Sequence, residues 1–400
     1  MTNQLPLIVS SKIKMQDWGL YKVIYLDHNA TTAIHPEVLD EMMPFYQSQY
    51  GNPASNHRFG RKALTAIEEA REKVANAVNA HPSQVVFTAS GTESNNTIIQ
   101  GIADSYPETH FGYSTIEHPC ISQPILSLAK KGFSSTAISV SQDGLVNLND
   151  LEKSKEVPDF ISIMMVNNET GIIQDIPSII NWAKKRKVSV HTDAVQALGK
   201  IPVDFEELGV DAMTISSHKI YGPQGIAALI LNKKIDLTPY MKGGGQEKGL
   251  RSGTENLAGI VGFGKACERV SKNIVTFSET IKPMQAFLEK KLSKMGAVIF
   301  GTRSERIANT TFFSFPKLDG VTLLTALDKK GFSVASGSAC SSNNNEPSHV
   351  LLAMGVDMEL AQGAIRVSLG VDSNSSHVEE FITALKIEVD RLKQLTAMAA

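Results

Sequence analysis

Up to about residue 255, short apolar runs alternate with segments of helical period. Val85-Val86-Phe87 precedes a helical segment from Thr92, and a predicted helix over residues 119–131 precedes a strand at 135–140. Residues 160–166 are almost continuously apolar, as a strand buried on both faces of a parallel sheet requires. A further helix over 177–187 leads into Val188-Ser189-Val190-His191-Thr192. Repeated β-α-β units of this kind predict a mostly parallel sheet covered by helices. The loops that follow parallel strands share one rim, which is where open α/β folds bind ligands.

The flanking segments follow other patterns. Residues 1–22 show no periodicity and read as an extension. Residues 23–26 form a short strand that ends in the turn Asp27-His28-Asn29-Ala30-Thr31-Thr32. Helices are predicted over 36–49 and over 61–80, the second with Leu64, Ile67, Val74 and Val78 on its inner face, and a loop rich in breakers lies between them. Beyond residue 255 come two long helical segments over 255–295, then short strands near 297–300, 309–315 and 365–369. The last helix is expected to open at a capping box of Ser376 and Glu379, with Val378, Phe381, Leu385 and Leu392 on one face. A chain of 400 residues suits about two domains. The reading is a large α/β domain followed by a smaller α+β domain, with a cleft between them.

Composition narrows the function classes. A net charge of −2, with acids and bases interspersed, gives no basic surface for nucleic acid or an anionic membrane. No apolar run reaches the roughly 18 residues of a membrane span, and the Leu5–Val9 run is too short for a signal peptide. Cys120, Cys267 and Cys340 are odd in number and lack CxxC spacing, which predicts neither a disulfide framework nor a metal site. A reducing compartment, the cytoplasm, is the expected location.

The residues with chemical potential fall at the predicted rim. Ser216-Ser217-His218-Lys219 lies between two apolar runs and precedes the turn Tyr221-Gly222-Pro223-Gln224-Gly225. A lysine among polar groups in a cleft can lose its proton and attack a carbonyl. Alone, the stretch also reads as a surface hairpin. Gly91-Thr92-Glu93-Ser94 at a helix start suits a phosphate, yet any helix start looks similar. Asp193 could hold a heteroaromatic nitrogen protonated with Gln196 on a neighbouring ring oxygen, or Asp193 could be an N-cap. His118 could stack on a flat ring, move protons or close a turn, and Asn167-Asn168 could also belong to a turn. Together they are the parts that pyridoxal phosphate requires: a phosphate cradle, a ring-nitrogen carboxylate, a stacking histidine and an attachment lysine.

From Val23 to the C-terminal helix, the chain resembles the cysteine desulfurases of the class V aminotransferase group. The likeness rests on Tyr25-Leu26-Asp27-His28-Asn29-Ala30-Thr31-Thr32, Gly91-Thr92-Glu93-Ser94-Asn95, Glu117-His118 and Asn167-Asn168-Glu169-Thr170-Gly171. It continues in Asp193-Ala194-Val195-Gln196, Ser216-Ser217-His218-Lys219, Gly243-Gly244-Gly245-Gln246-Glu247 and Arg251-Ser252-Gly253-Thr254. Two later stretches complete it, Ser336-Gly337-Ser338-Ala339-Cys340-Ser341-Ser342 and Ile365-Arg366-Val367-Ser368-Leu369-Gly370.

The resemblance implies the type I fold of pyridoxal-phosphate-dependent transferases: α/β, a mostly parallel seven-stranded sheet flanked by helices, and a smaller α+β domain. It implies a large cofactor domain over residues 29–269 and a smaller one from 1–28 and 270–400. Lys219 would hold pyridoxal 5′-phosphate and move protons at the substrate Cα. Asp193 would meet the ring nitrogen, Gln196 the ring hydroxyl and His118 the ring face. Gly91, Thr92, Ser216 and His218 would hold the phosphate, with Thr254 entering from the other subunit of a homodimer. Asn168 would lie near ring and substrate, and Arg366 would clamp the substrate carboxylate, a task that suits a bidentate guanidinium. Cys340, in a stretch of small and polar residues, would take sulfur from L-cysteine as a persulfide and leave L-alanine. The stretch around it resembles the branch that serves iron–sulfur cluster assembly and tRNA thiolation, so an iron–sulfur scaffold or a thiolation carrier would accept the sulfur.

Lys248 stands where the family often has arginine, and Asn343-Asn344-Asn345 replaces smaller residues. Rival readings are a selenocysteine lyase or another class V lyase or transaminase, and a non-catalytic scaffold. Cys340 argues against a transaminase, which needs no second nucleophile. Intact Lys219, His118, Arg366 and Cys340 argue against a scaffold. A cofactor-free aldolase would leave Asp193 and the phosphate cradle without a task.

Overall fold

The computed structural model describes residues 23–153, 156–337 and 346–399. The expected extension over 1–22 and the stretch from Ser338 to Asn345, which carries Cys340, lie outside the described residues.

Seven strands form the central sheet: β1 (Val85–Thr88), β2 (Phe111–Ser114), β3 (Ser135–Ile138), β4 (Phe160–Ser162), β5 (Ser189–Asp193), β6 (Ala212–Ser216) and β7 (Ala227–Leu231). Their order is β1-β7-β6-β5-β4-β2-β3. β7 runs antiparallel to both neighbours, while the pairs among β6, β5, β4, β2 and β3 are parallel. The α/β sheet read from the sequence is therefore present, with one reversed strand. β4 has Phe160, Ile161 and Ser162 all buried, which accounts for its apolar sequence on both faces.

Residues 160–166 do not all form strand, because the ladder ends at Ser162. Ile163 and Met165 still donate their N–H groups to His191 and Asp193 carbonyls, so the backbone runs alongside β5 to the rim. The Arg58–Ala77 helix also differs from expectation. It buries Ala63, Ile67, Ala70 and Val74, whereas Leu64 is exposed. Small residues are needed on its inner face because the Leu257–Lys294 helix approaches closely: a Cβ on Gly264 would lie 2.9 Å from Ala70 Cα.

Two separate helices were expected over 255–295, and one 38-residue helix, Leu257–Lys294, is observed. Asn256 caps it by accepting the Gly259 N–H, and Pro283 is accommodated inside. Its first turns bury Leu257, Ile260, Phe263 and Cys267 in the core under the central sheet. Its last turns bury Ile281, Met284, Leu288 and Leu292 in a second core with Phe313, Phe315, Val378, Phe381 and Leu385. That second core backs a four-stranded antiparallel sheet of β8 (Val298–Ile299), β9 (Thr310–Ser314), β10 (Ala335–Ser336) and β11 (Ile365–Ser368), in the order β10-β11-β9-β8.

The final helix, Ser375–Ala399, buries the expected face, but Ser376 and Glu379 make no capping box. Asn374 Oδ1 accepts the His377 N–H instead, while the Ser376 hydroxyl turns to Glu380. Among the described residues no helix is long and apolar enough to cross a membrane.

Candidate active site

The parallel strands deliver their following loops to one rim, and a cavity of about 350 Å³ opens there. Gly91, Thr92, His118, Asn168, Asp193, Gln196, Ser216, His218, Lys219 and Arg366 all line it, together with Asn29, Ala30 and Cys120. Thr254 is exposed and does not line this chain's cavity. Its loop is tied to the Arg58–Ala77 helix by a buried bidentate pair between Arg71 and Glu247, and to the Gly91–Ser105 helix by Arg251 to Glu93 at 2.7 Å. Cys340 lies outside the described residues.

Lys219 ends a single 3-10 turn after β6, and its Nζ donates to the Asn29 and Ala30 carbonyls at 2.6 Å each. Those carbonyls belong to the turn after the Ile24–Tyr25 strand, which is fastened across the fold by the Asn29 N–H bond to Ser368 Oγ. Asp193 is the last residue of β5 rather than a helix cap. Its Oδ1 accepts the Val195 N–H, and its Oδ2 accepts Asn95 Nδ2 at 2.8 Å. Asn95 thus fixes the carboxylate plane from the Gly91–Ser105 helix.

His118 caps the Pro119–Ala129 helix, with Nδ1 accepting the Cys120 N–H at 3.2 Å and lying 2.8 Å from Cys120 Sγ. An accepting Nδ1 places the proton of the neutral ring on Nε2. Burial lowers the pKa of His118, opposed by Asp193 and assisted by Lys219 and His349, which favours that neutral ring. His218 is pushed down to about 4 by burial and then by Lys219. Burial, followed by Asp193, pushes the Cys120 thiol well up, so it stays protonated at neutral pH.

Glu117 lies behind His118, fully buried, with Oε1 accepting from Ser114 Oγ and the Met164 N–H while Oε2 has no partner. Burial pushes its pKa from 4.5 up to about 8. The native state then holds a proton that the unfolded chain releases. This contribution to stability is full below about pH 4.5 and is lost as pH rises through about 8. Glu117→Gln, which keeps a neutral side chain of the same shape, is expected to flatten the fall in stability between those limits. Urea unfolding at a series of pH values reads this directly, and an unchanged slope in the variant would show that Glu117 is ionised in the native protein.

The cavity has the features a pyridoxal phosphate site needs. The Gly91 and Thr92 N–H groups open a helix and have no intrahelical acceptor. Ser216 Oγ, beside them, is buried without a hydrogen-bond partner, and Arg366 Nε is likewise buried and unpartnered. Arg366 is otherwise held by Asp27 Oδ1 at 2.6 Å and by the Asn168 carbonyl at 3.0 Å. An amine, an anchored carboxylate, unmet donors at a helix start and a guanidinium side chain thus share one cavity. Sequence reasoning assigned no role to Asn29 or Asn95 and gave Cys120 only a place near the site. Asn29 and Asn95 do stand inside the quoted motifs, which is the one signal that could have marked them.

The family model for class-V aminotransferases matches residues 24–381. The chain is 42% identical to the cysteine desulfurase IscS of Dictyoglomus turgidum over 93% of this chain and 96% of that protein. It is 40% identical to the mitochondrial cysteine desulfurase of Saccharomyces cerevisiae over 94% of this chain and 76% of the relative. Among solved structures, a NifS-like protein from Rickettsia africae superposes with a TM-score of 0.85 at 39% identity, covering 92% of this chain and all of the other. A structure described as SspA in complex with cysteine superposes with a TM-score of 0.78 at 33% identity, covering 86% and 98%. The chain therefore belongs to the class-V aminotransferase family. Within it, the chain is an enzyme of the cysteine desulfurase group.

Proposed function

We propose that this enzyme uses pyridoxal 5′-phosphate held on Lys219 to convert L-cysteine to L-alanine, with the sulfur passing to Cys340 as a persulfide. The observation that carries the reading is the pairing of Lys219 and Arg366 in the lining of one cavity. A selenocysteine lyase would share that pairing, but the relatives at 42% and 40% identity are named for cysteine.

The residues that would hold the cofactor are Lys219 at its carbonyl, Gly91, Thr92, Ser216 and His218 at its phosphate, and Asp193 and Gln196 at its ring, with His118 over the ring face. When bound, it would supply an electron sink for the pair released at the substrate Cα. Asp193, fixed by Asn95, would keep the ring nitrogen protonated. Lys219, once displaced by the substrate amine, would be free to take and return the Cα proton. His118, with its proton on Nε2, would serve proton transfer near the sulfur. Arg366 would take the substrate carboxylate, while Asn168 would flank ring and substrate. Thr254 would reach the phosphate of a second copy in a homodimer, presented by a loop fixed through Arg71–Glu247.

Arg366→Lys tests the clamp. A lysine keeps the charge but loses the planar fork, and charge-assisted hydrogen bonds contribute about 1.5–3 kcal/mol each. KM for cysteine is expected to rise about 10- to 100-fold with a smaller change in kcat. An unchanged KM would move the carboxylate to another residue.

An iron–sulfur scaffold or thiolation carrier would take the sulfur onward. The cytoplasm, a reducing compartment, would keep Cys340 available, in line with the free thiols of Cys120 and Cys267. A single turnover with L-cysteine, with alanine quantified and the persulfide located by mass spectrometry, tests the function.

A further inference from the structure

Lys200 is a buried amine that the proposed chemistry does not use. It follows the tight turn after β5, where Gly199 adopts φ +77°, and only 8% of the residue is exposed. Its Nζ donates to Asn29 Oδ1 at 2.9 Å and to Gln196 Oε1 at 2.5 Å. Among the described residues no carboxylate lies within ion-pair distance of it; the charged groups that act on it are Lys219 and Arg366. Burial, and then those two cations, lowers its pKa well below the usual value.

The two amides that Lys200 meets could each face either way. Gln196 donates Nε2 to the Asn29 carbonyl at 2.9 Å, the same carbonyl that receives Lys219 Nζ. Flipping Gln196 would set its NH2 against the Lys200 amine and its oxygen against that carbonyl. Asn29 is held in the same way. Its Oδ1 accepts from Lys200 and from Asn309 Nδ2, and its Nδ2 donates to the Asn168 carbonyl and Thr310 Oγ1. Lys200, acting with the Asn29 and Asn168 carbonyls, thus fixes one orientation for two amides that flank the attachment lysine.

We propose that Lys200 is a positioning residue that locks the Gln196 amide with its N–H groups toward the cavity, so that Gln196 can donate to the oxygen beside the Lys219 attachment point. The proposal rests on the cofactor assignment given above. It makes Lys200 act through Gln196 and touch neither substrate nor cofactor. A donor held on that oxygen stabilises the deprotonated form of the Lys219 adduct, so losing it raises the pH at which the adduct's long-wavelength absorbance titrates.

The test is an absorbance titration of the holoenzyme, with Lys200→Met, Gln196→Leu and the double variant. Lys200→Met keeps the length of the side chain and removes the amine. It is expected to bind pyridoxal phosphate and to titrate about 0.5–1 pH unit higher, the equivalent of one hydrogen bond. Gln196→Leu is expected to shift the titration in the same direction, and the double variant to match Gln196→Leu alone, because the two act in series. Lys200→Gln, which restores one donor, should recover part of the shift. Additive shifts, or a Lys200→Met titration equal to that of the wild type, overturn the proposal. Misfolding of both Lys200 variants while Gln196→Leu folds overturns it too, since Lys200 would then serve the core and not the amide. Failure of the wild-type protein to take up pyridoxal phosphate is seen before any variant is made and overturns the cofactor assignment along with it.

Discussion

Lys219→Ala is expected to lose cysteine turnover by about 10³-fold or more and to lose every borohydride-reducible link to the cofactor. The Lys219 amine sits between the Asn29 and Ala30 carbonyls at the cavity that gathers Asp193, His118 and Arg366. Truncation removes the attachment point and the group assigned to proton transfer at Cα in one change. The Gly91 helix start, Ser216 and His218 are untouched, so the variant should still retain cofactor non-covalently. Folding should survive as well, because the lysine side chain is only partly buried and its two acceptors face a cavity open to water. Reduction with borohydride followed by peptide mapping checks the link. A reduced adduct on Lys200, or turnover within tenfold of the wild type, would remove Lys219 from its assigned role.

Cys340→Ser is expected to separate cofactor chemistry from sulfur transfer. The cavity keeps every described residue, so the variant should take up pyridoxal phosphate normally and respond spectrally to cysteine. Its output of alanine and persulfide should fall about 10³-fold, since a hydroxyl does not accept sulfur as a thiolate does. Neither remaining cysteine can substitute. Cys120 is held between Asn95 Nδ2 and His118 Nδ1 with its pKa pushed up by burial, and Cys267 is fully enclosed in the large core. Alanine production close to the wild-type rate would make Cys340 a spectator and favour a direct lyase or a transaminase.

Much of this site was legible because its residues sit at strand ends, where the switch from apolar to polar sequence marks the rim. Asp193 closes β5 and Ser216-Ser217-His218-Lys219 spans the end of β6, so one topological rule brings them together. The supporting layer was not legible, since its contacts join distant parts of the chain. Asn29 reaches Thr310, and Lys200 reaches Asn29; no local pattern encodes either pairing. Reading Leu64 as inward failed because hydrophobicity alone outranked size, whereas the close approach at Gly264 selects a small residue at Ala70. The split expected within 255–295 failed for a related reason. Burial of the Leu257–Lys294 helix in two cores outweighs the local cost of Pro283.

Sulfur is expected to leave L-cysteine and to lodge on one thiol of this chain, Cys340. The direct measurement is a single turnover of the holoenzyme with L-cysteine and no reductant, quenched, with alanine quantified and the sulfur located by mass spectrometry of peptides. Alanine and persulfide are expected in equal amounts, with the added sulfur on Cys340 and none on Cys120 or Cys267. Alanine without a persulfide on Cys340, or a persulfide found on Cys120, would contradict this expectation.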